Sequence, residues 1–133
     1  MAEFINNTEQ TIAVGSNVVF TDVVVKPCTC VTHRAGSGIF TLHGGHRYLV
    51  AFSGNVSGAT AGTEVDLALT IAGEEIAGTR MASTPAVADD ANNVCTMSYI
   101  TVPNCCCYTV AIENVGTTEV TVTAANLVII KED

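Results

Sequence analysis

The chain has 133 residues, 48% hydrophobic and 14% charged, with five Lys and Arg against thirteen Asp and Glu for a net charge of −8. That length suits one domain burying about two thirds of its unfolded surface, and the acidic balance repels phosphate backbones, which excludes nucleic acid as a partner. No run approaches the roughly 20 consecutive apolar residues of a membrane-spanning helix, so no membrane partner is expected, while the small charged fraction leaves apolar surface for another subunit to cover.

The first residues, Met-Ala-Glu-Phe-Ile-Asn-Asn-Thr, contain neither a basic region nor an apolar core. No secretory signal is therefore expected, and the protein should be made in the cytosol and leave it by lysis or a non-standard route. Residues 1–10 are read as a polar N-terminal arm, with Phe4, Ile5, Asn6 and Asn7 as candidates for gripping a partner, and residues 11–133 as the folded domain.

Val, Ile and Thr dominate, Gly and Asn punctuate at short intervals, and no dozen residues sustain a 3.6-residue apolar stripe, so the chain reads as all-β. Strands are predicted at 11–14, 17–26, 29–33, 38–42 and 46–57. In the last of these, Tyr48, Val50, Phe52 and Val56 alternate with more polar neighbours such as Ser53 and Asn55. Phe40 and Leu42 form the matching face of the strand before it, and Gly44-Gly45 supply the backbone freedom of a short hairpin.

Further along, Val65, Leu67, Leu69 and Ile71 alternate through a strand at 63–72, and Gly73 turns the chain into another at 76–81. Residues 82–93 are small and polar and read as the longest exposed loop. Strands at 93–102, 105–113 and 118–131 complete a single-domain jelly-roll sandwich of about ten strands. Its predicted core is Phe40, Tyr48, Val50, Phe52, Leu67, Leu69, Ile71, Tyr108, Val110 and Ile112. Leu49 and Ala51 on one strand, with Met97 and Tyr99 on another, point away from that core and are the predicted subunit interface.

Six cysteines occur as Cys28-Thr-Cys30, Cys95 and the run Cys105-Cys106-Cys107. None has the two-residue gap of a zinc knuckle, and alternation on an extended strand prevents the triple run from converging on one ion. They read as reduced packing residues, Cys106 buried beside Tyr108, with disulfides after release as the alternative. His33, His43 and His46 read as surface-loop histidines rather than a metal site.

Asp89-Asp90 and Glu74-Glu75 are adjacent in turns, where neighbours on a chain rarely face one substrate as acid and base. Oxygen ligands gather in Asp89-Asp90-Ala91-Asn92-Asn93, yet the order of an EF-hand loop is missing. No hydrolase, phosphate-loop or dinucleotide motif is present. No enzyme activity, catalytic residue, cofactor or metal is expected.

Two local patterns carry a resemblance. Tyr48 follows Phe40 by eight residues across the Gly44-Gly45 turn, and Ala124-Ala125-Asn126-Leu127-Val128-Ile129-Ile130-Lys131 has the look of a terminal strand. On these residues the chain resembles the tumour necrosis factor and complement globular-head superfamily of jelly rolls. Its C-terminus is similar to bacterial and phage members, including spore-surface glycoprotein heads. The family's glycine two before the tyrosine is His46 here, and the aromatic two after it is Val50.

The resemblance implies a TNF-like homotrimer with a non-enzymatic, structural role. Combined with the absence of a signal, it points to a virion component assembled in the host cytoplasm, a capsid decoration or head-fibre protein. Its partners would be itself and a capsid or other virion protein, with Phe4, Ile5, Asn6 and Asn7 in the attachment arm. The alternative is a trimeric adhesin or lectin-like head on a bacterial or spore surface, contacting host-surface glycan or protein.

Overall fold

Alternating side chains build two antiparallel sheets that close on each other with their apolar faces inward. The computed structural model describes every residue except 1, 26–29, 35, 59–60, 89 and 133, so the expectations for Cys28 and Asp89 lie outside the described residues. Among the described residues the strands are β1 (Ala2–Asn6), β2 (Gln10–Ile12), β3 (Asp22–Val25), β4 (Val31–His33), β5 (Phe40–His43) and β6 (His46–Ser57). They continue as β7 (Val65–Ile71), β8 (Glu74–Glu75), β9 (Met81–Ser83), β10 (Asn92–Val102), β11 (Cys107–Asn114) and β12 (Val120–Lys131). The first sheet runs β10-β6-β12-β1-β3 with β2 paired to β12, and the second runs β4-β5-β11-β7-β8 with β9 paired to β7.

β6 is the spine of the first sheet because its alternation is unbroken over twelve residues. Tyr48, Val50, Phe52 and Val56 are buried while Leu49, Ala51 and Ser53 point outward. On β12 a bulge between Thr123 and Asn126, with Ala124 at φ 54°, inserts an extra residue. The inward set therefore changes from Val120 and Val122 to Ala125, Leu127 and Ile129, and both halves stay in register with the core.

Between the sheets Phe20 meets Phe40 at 5.4 Å and Phe52 at 6.2 Å, while Phe4 meets Phe40 at 4.7 Å. Each such pair is worth about 0.5–1.5 kcal/mol beyond its buried area. Of the predicted core, Phe40, Tyr48, Val50, Phe52, Leu67, Leu69, Val110 and Ile112 are buried, and Ile71 and Tyr108 are half-buried against it. Asn114 is the one fully buried polar side chain among the described residues with no exposure at all, and it bonds throughout: its Nδ2 donates to Ile12 O and Thr118 O, and its Oδ1 accepts from Gly116 N.

Three expectations are corrected. Residues 2–6 are not a free arm: β1 lies between β12 and β3, with Ala2, Phe4 and Asn6 turned inward. The open place between β12 and β3 makes this segment an interior strand, and Asn6, turned inward, is held by donating to Val19 O at 2.9 Å. The strand at 17–26 shortens to β3, because the carboxamide of Gln10 both accepts from Val19 N and donates to Val19 O. Finally, β11 begins at Cys107 rather than 105, because Cys105 adopts φ 64° within a turn. Cys106 is consequently exposed instead of buried.

Candidate functional site

The outward residues of β10, β6 and β12 fall into rows fixed by register. Tyr99 faces Leu49, which faces Ile130; Met97 faces Ala51, which faces Val128. Residues directly opposite on adjacent strands share a face, so these six side chains form one apolar patch about 10 Å across three strands. Met97 and Tyr99 are 63% and 62% exposed, and the other four are half-buried by their neighbours. Below them the row Cys95, Ser53 and Asn126 helps to line a shallow depression of about 490 Å³ with Ala51, Met97 and Val128.

Charge is confined to the margin of this patch. Arg47 and Glu132 lie beside Tyr99 at one end, and Glu3 accepts from Asn126 Nδ2 at 2.6 Å at the other. An apolar centre with a polar rim is the ordinary anatomy of a subunit interface. Leu49, Ala51, Met97 and Tyr99 lie together on the outer side of the first sheet. Val128 and Ile130 were missed: the continuous apolar run 127–130 hides which of its members face out until β12 is phased against β6. Of the expected arm residues, Phe4 and Asn6 are buried, Ile5 is half-buried and Asn7 is exposed in the turn after β1.

The histidines part company. His33 stacks on Phe40 at 4.3 Å and its Nε2 lies 2.9 Å from Ser37 O, so it is a packing residue, not a surface-loop one. His46 sits edge-on to Tyr48 at 6.1 Å. His43 lies on the outer side of the second sheet, 2.9 Å from Thr32 Oγ1 and 3.5 Å from Cys107 Sγ. Cys30 is disulfide-bonded, which departs from the reduced state expected of it, while Cys95, Cys105, Cys106 and Cys107 are free thiols. Among the described residues no group of three His, Cys, Asp or Glu side chains is placed to hold a metal ion.

The carboxylates form a structural network at the edge of the second sheet. Glu75 is gripped by both arms of Arg80 at 2.8 and 3.2 Å, which holds its carboxyl below the ordinary range. Asp66 is buried 3.9 Å from the same guanidinium. Glu64 is pushed above its ordinary range by a hydrogen bond to Asp66 and then by the charge of that carboxylate.

No protein-family model and no curated protein matches the chain. Among solved structures, the globular domain of zebrafish complement 1qA protein aligns with TM-score 0.67 over 96% of this chain and 94% of that one, at 15% identity. The Eiger TNF of S. frugiperda aligns with TM-score 0.67 over 99% of this chain and 91% of that one, also at 15% identity. The PRD1 vertex protein P5 aligns with TM-score 0.50 over 99% and 96%, at 13% identity. Together with the two-sheet architecture and strand order, these likenesses give the chain a TNF-like jelly-roll fold.

Proposed function

We propose that three copies of this chain associate through the outer face of β10, β6 and β12, and that the trimer is a non-enzymatic structural component of a virion, a capsid decoration or head-fibre protein of the phage branch of this fold. The observation that carries the assembly is the pair Met97 and Tyr99, two large apolar side chains mostly exposed on the edge strand of an uncharged patch. Covering such a patch is favourable at about 25 cal/mol per Å² of apolar area removed from water. The likeness to the PRD1 vertex protein P5, which spans nearly the whole of both chains, supports the particle reading.

Val87 is 64% exposed in the loop between β9 and β10 and favours a second reading, in which that loop contacts glycan or protein and the trimer is a binding head on a bacterial or spore surface. Light scattering at micromolar concentration tests the assembly: a trimer is expected, and a monomer rejects it. A cryo-EM map of the native assembly separates the two readings, because a decoration or fibre protein appears on a capsid lattice and a surface head does not.

A further inference from the structure

A second cluster lies far from the apolar patch, on the outer side of the second sheet. Cys107 and His43 are directly opposed across β11 and β5, and Cys107 Sγ is 3.5 Å from His43 Nδ1. The other ring nitrogen, Nε2, is 2.9 Å from Thr32 Oγ1 on β4. The three residues form a line of thiol, imidazole and hydroxyl, in which nucleophile, base and orienting group are in hydrogen-bond contact.

The surroundings keep this line in place. From inside the core, Tyr48 donates its hydroxyl to His43 O at 2.7 Å and stands 3.2 Å from Cys30 O, which fixes the backbone beneath the imidazole. Gly44 packs so closely on the turn holding Cys105 that an added Cβ would overlap Pro103 O and Cys106 O. The turn is therefore seated against the β5–β6 hairpin, and the thiol of Cys107 is exposed.

We infer that Cys107 is a reactive thiol that exchanges with low-molecular-weight disulfides, with His43 as its base. The thiol donates its proton to His43 Nδ1, and the imidazolium keeps both N–H groups bonded, one to the sulfur and the other to Thr32 Oγ1. The thiolate attacks one sulfur of the incoming disulfide, a new S–S bond forms on Cys107, and the old S–S bond breaks. The departing thiolate recovers the proton from His43, so the small disulfide is reduced and Cys107 is oxidised to a mixed disulfide. The disulfide of Cys30 is not the internal reactant. Cys30 neighbours His43 by the bond from His43 N to its carbonyl, which places it two strands from Cys107, about 10 Å away.

The test uses the intact chain and oxidised glutathione. In a Cys105→Ser, Cys106→Ser background, where no neighbouring thiol can displace the adduct, peptide mass spectrometry should find one glutathionyl group on Cys107. In the parent chain, limiting iodoacetamide should alkylate Cys107 about tenfold faster than Cys105 and Cys106, which are also exposed. His43→Gln should abolish both effects while leaving the thermal transition in place. Thr32→Val should slow the reaction, and Thr32→Ser, which restores the hydroxyl, should recover it. Equal labelling of the three thiols, or an unchanged preference in His43→Gln, overturns the assignment. If His43→Gln fails to fold, the Thr32 pair decides: a Thr32→Val chain as reactive as its parent rejects the line from thiol to hydroxyl.

Discussion

The hydroxyl of Tyr48 crosses the edge of the core to reach the carbonyl oxygen of His43 at 2.7 Å, tying the strand after the hairpin to the last residue of the strand before it. Tyr48→Phe keeps the ring and removes this bond, leaving a carbonyl short of a donor. The expected cost is about 1–2 kcal/mol, read as a lower midpoint in urea with an unchanged slope. Burial also pushes the Tyr48 phenol above its ordinary range. The folded state thus favours the protonated phenol, and this contribution to stability is present below the ordinary phenol range and lost as pH rises through the raised value. Tyr48→Phe should lessen that alkaline decline.

Phe4 tests the placement of β1. Its side chain is fully buried and touches Phe40 and His33 at 4.7 and 4.8 Å. Phe4→Ala should destabilise the fold by about 3–5 kcal/mol, and removal of residues 2–6 should expose the edge of β12 and cause aggregation. A truncated chain that melts like the full one by circular dichroism would return these residues to the role of a dispensable arm.

Tyr99 tests the apolar face. Tyr99→Asp should convert the proposed trimer to a monomer, because assembly would bring three unpaired carboxylates together in a dry interface. The monomer itself should melt near the temperature of the parent, since Tyr99 is mostly exposed in the single chain. Sedimentation velocity reads the first expectation, and a variant that remains trimeric removes this face from the interface.

Glu64 gives a pH-dependent expectation. Its raised carboxyl pKa means the folded chain binds the proton more tightly than the unfolded chain, so this contribution to stability is present at low pH and lost as pH rises through the shifted value. Glu64→Gln removes the repulsion with Asp66. The variant should melt above the parent at pH 7, and the difference should shrink as pH falls below the ordinary carboxylate range, where the parent's carboxyl is protonated in both states. Glu75, whose lowered pKa acts in the opposite sense, is the same in both chains and cancels from the difference.

The central strands were legible because their patterns are complete on one chain segment. β6 and β7 alternate apolar and more polar residues in sequence, although both faces of β7 are buried, and Gly45 takes φ 84° in the hairpin before β6. The outer ends were less so. β1 offers only Phe4 and Ile5 before a run of Asn, Asn and Thr, and what makes it a strand is the open place between β12 and β3, which no local pattern reports. The bulge at Ala124 splits one apolar run into two phases. The line from Cys107 to Thr32 needed three strands to come together, and its members lie 64 and 11 residues from His43 along the chain.

The place of β12 sets the order in which the protein can be built. Ala2 pairs with Ile129 and Phe52 with Leu127, so the strand in the middle of the first sheet is made after the other eleven described strands. Until residues 120–131 emerge, β1 and β6 have no strand between them and the most apolar part of the chain has no lid. Folding of this sheet therefore waits for residues 120–131 to be made, and its rate is governed by closure of the long loops that bring β1 and β6 to β12. The intervening half-made chains, with bare strand edges and uncovered phenylalanines, are the species most prone to aggregate during expression.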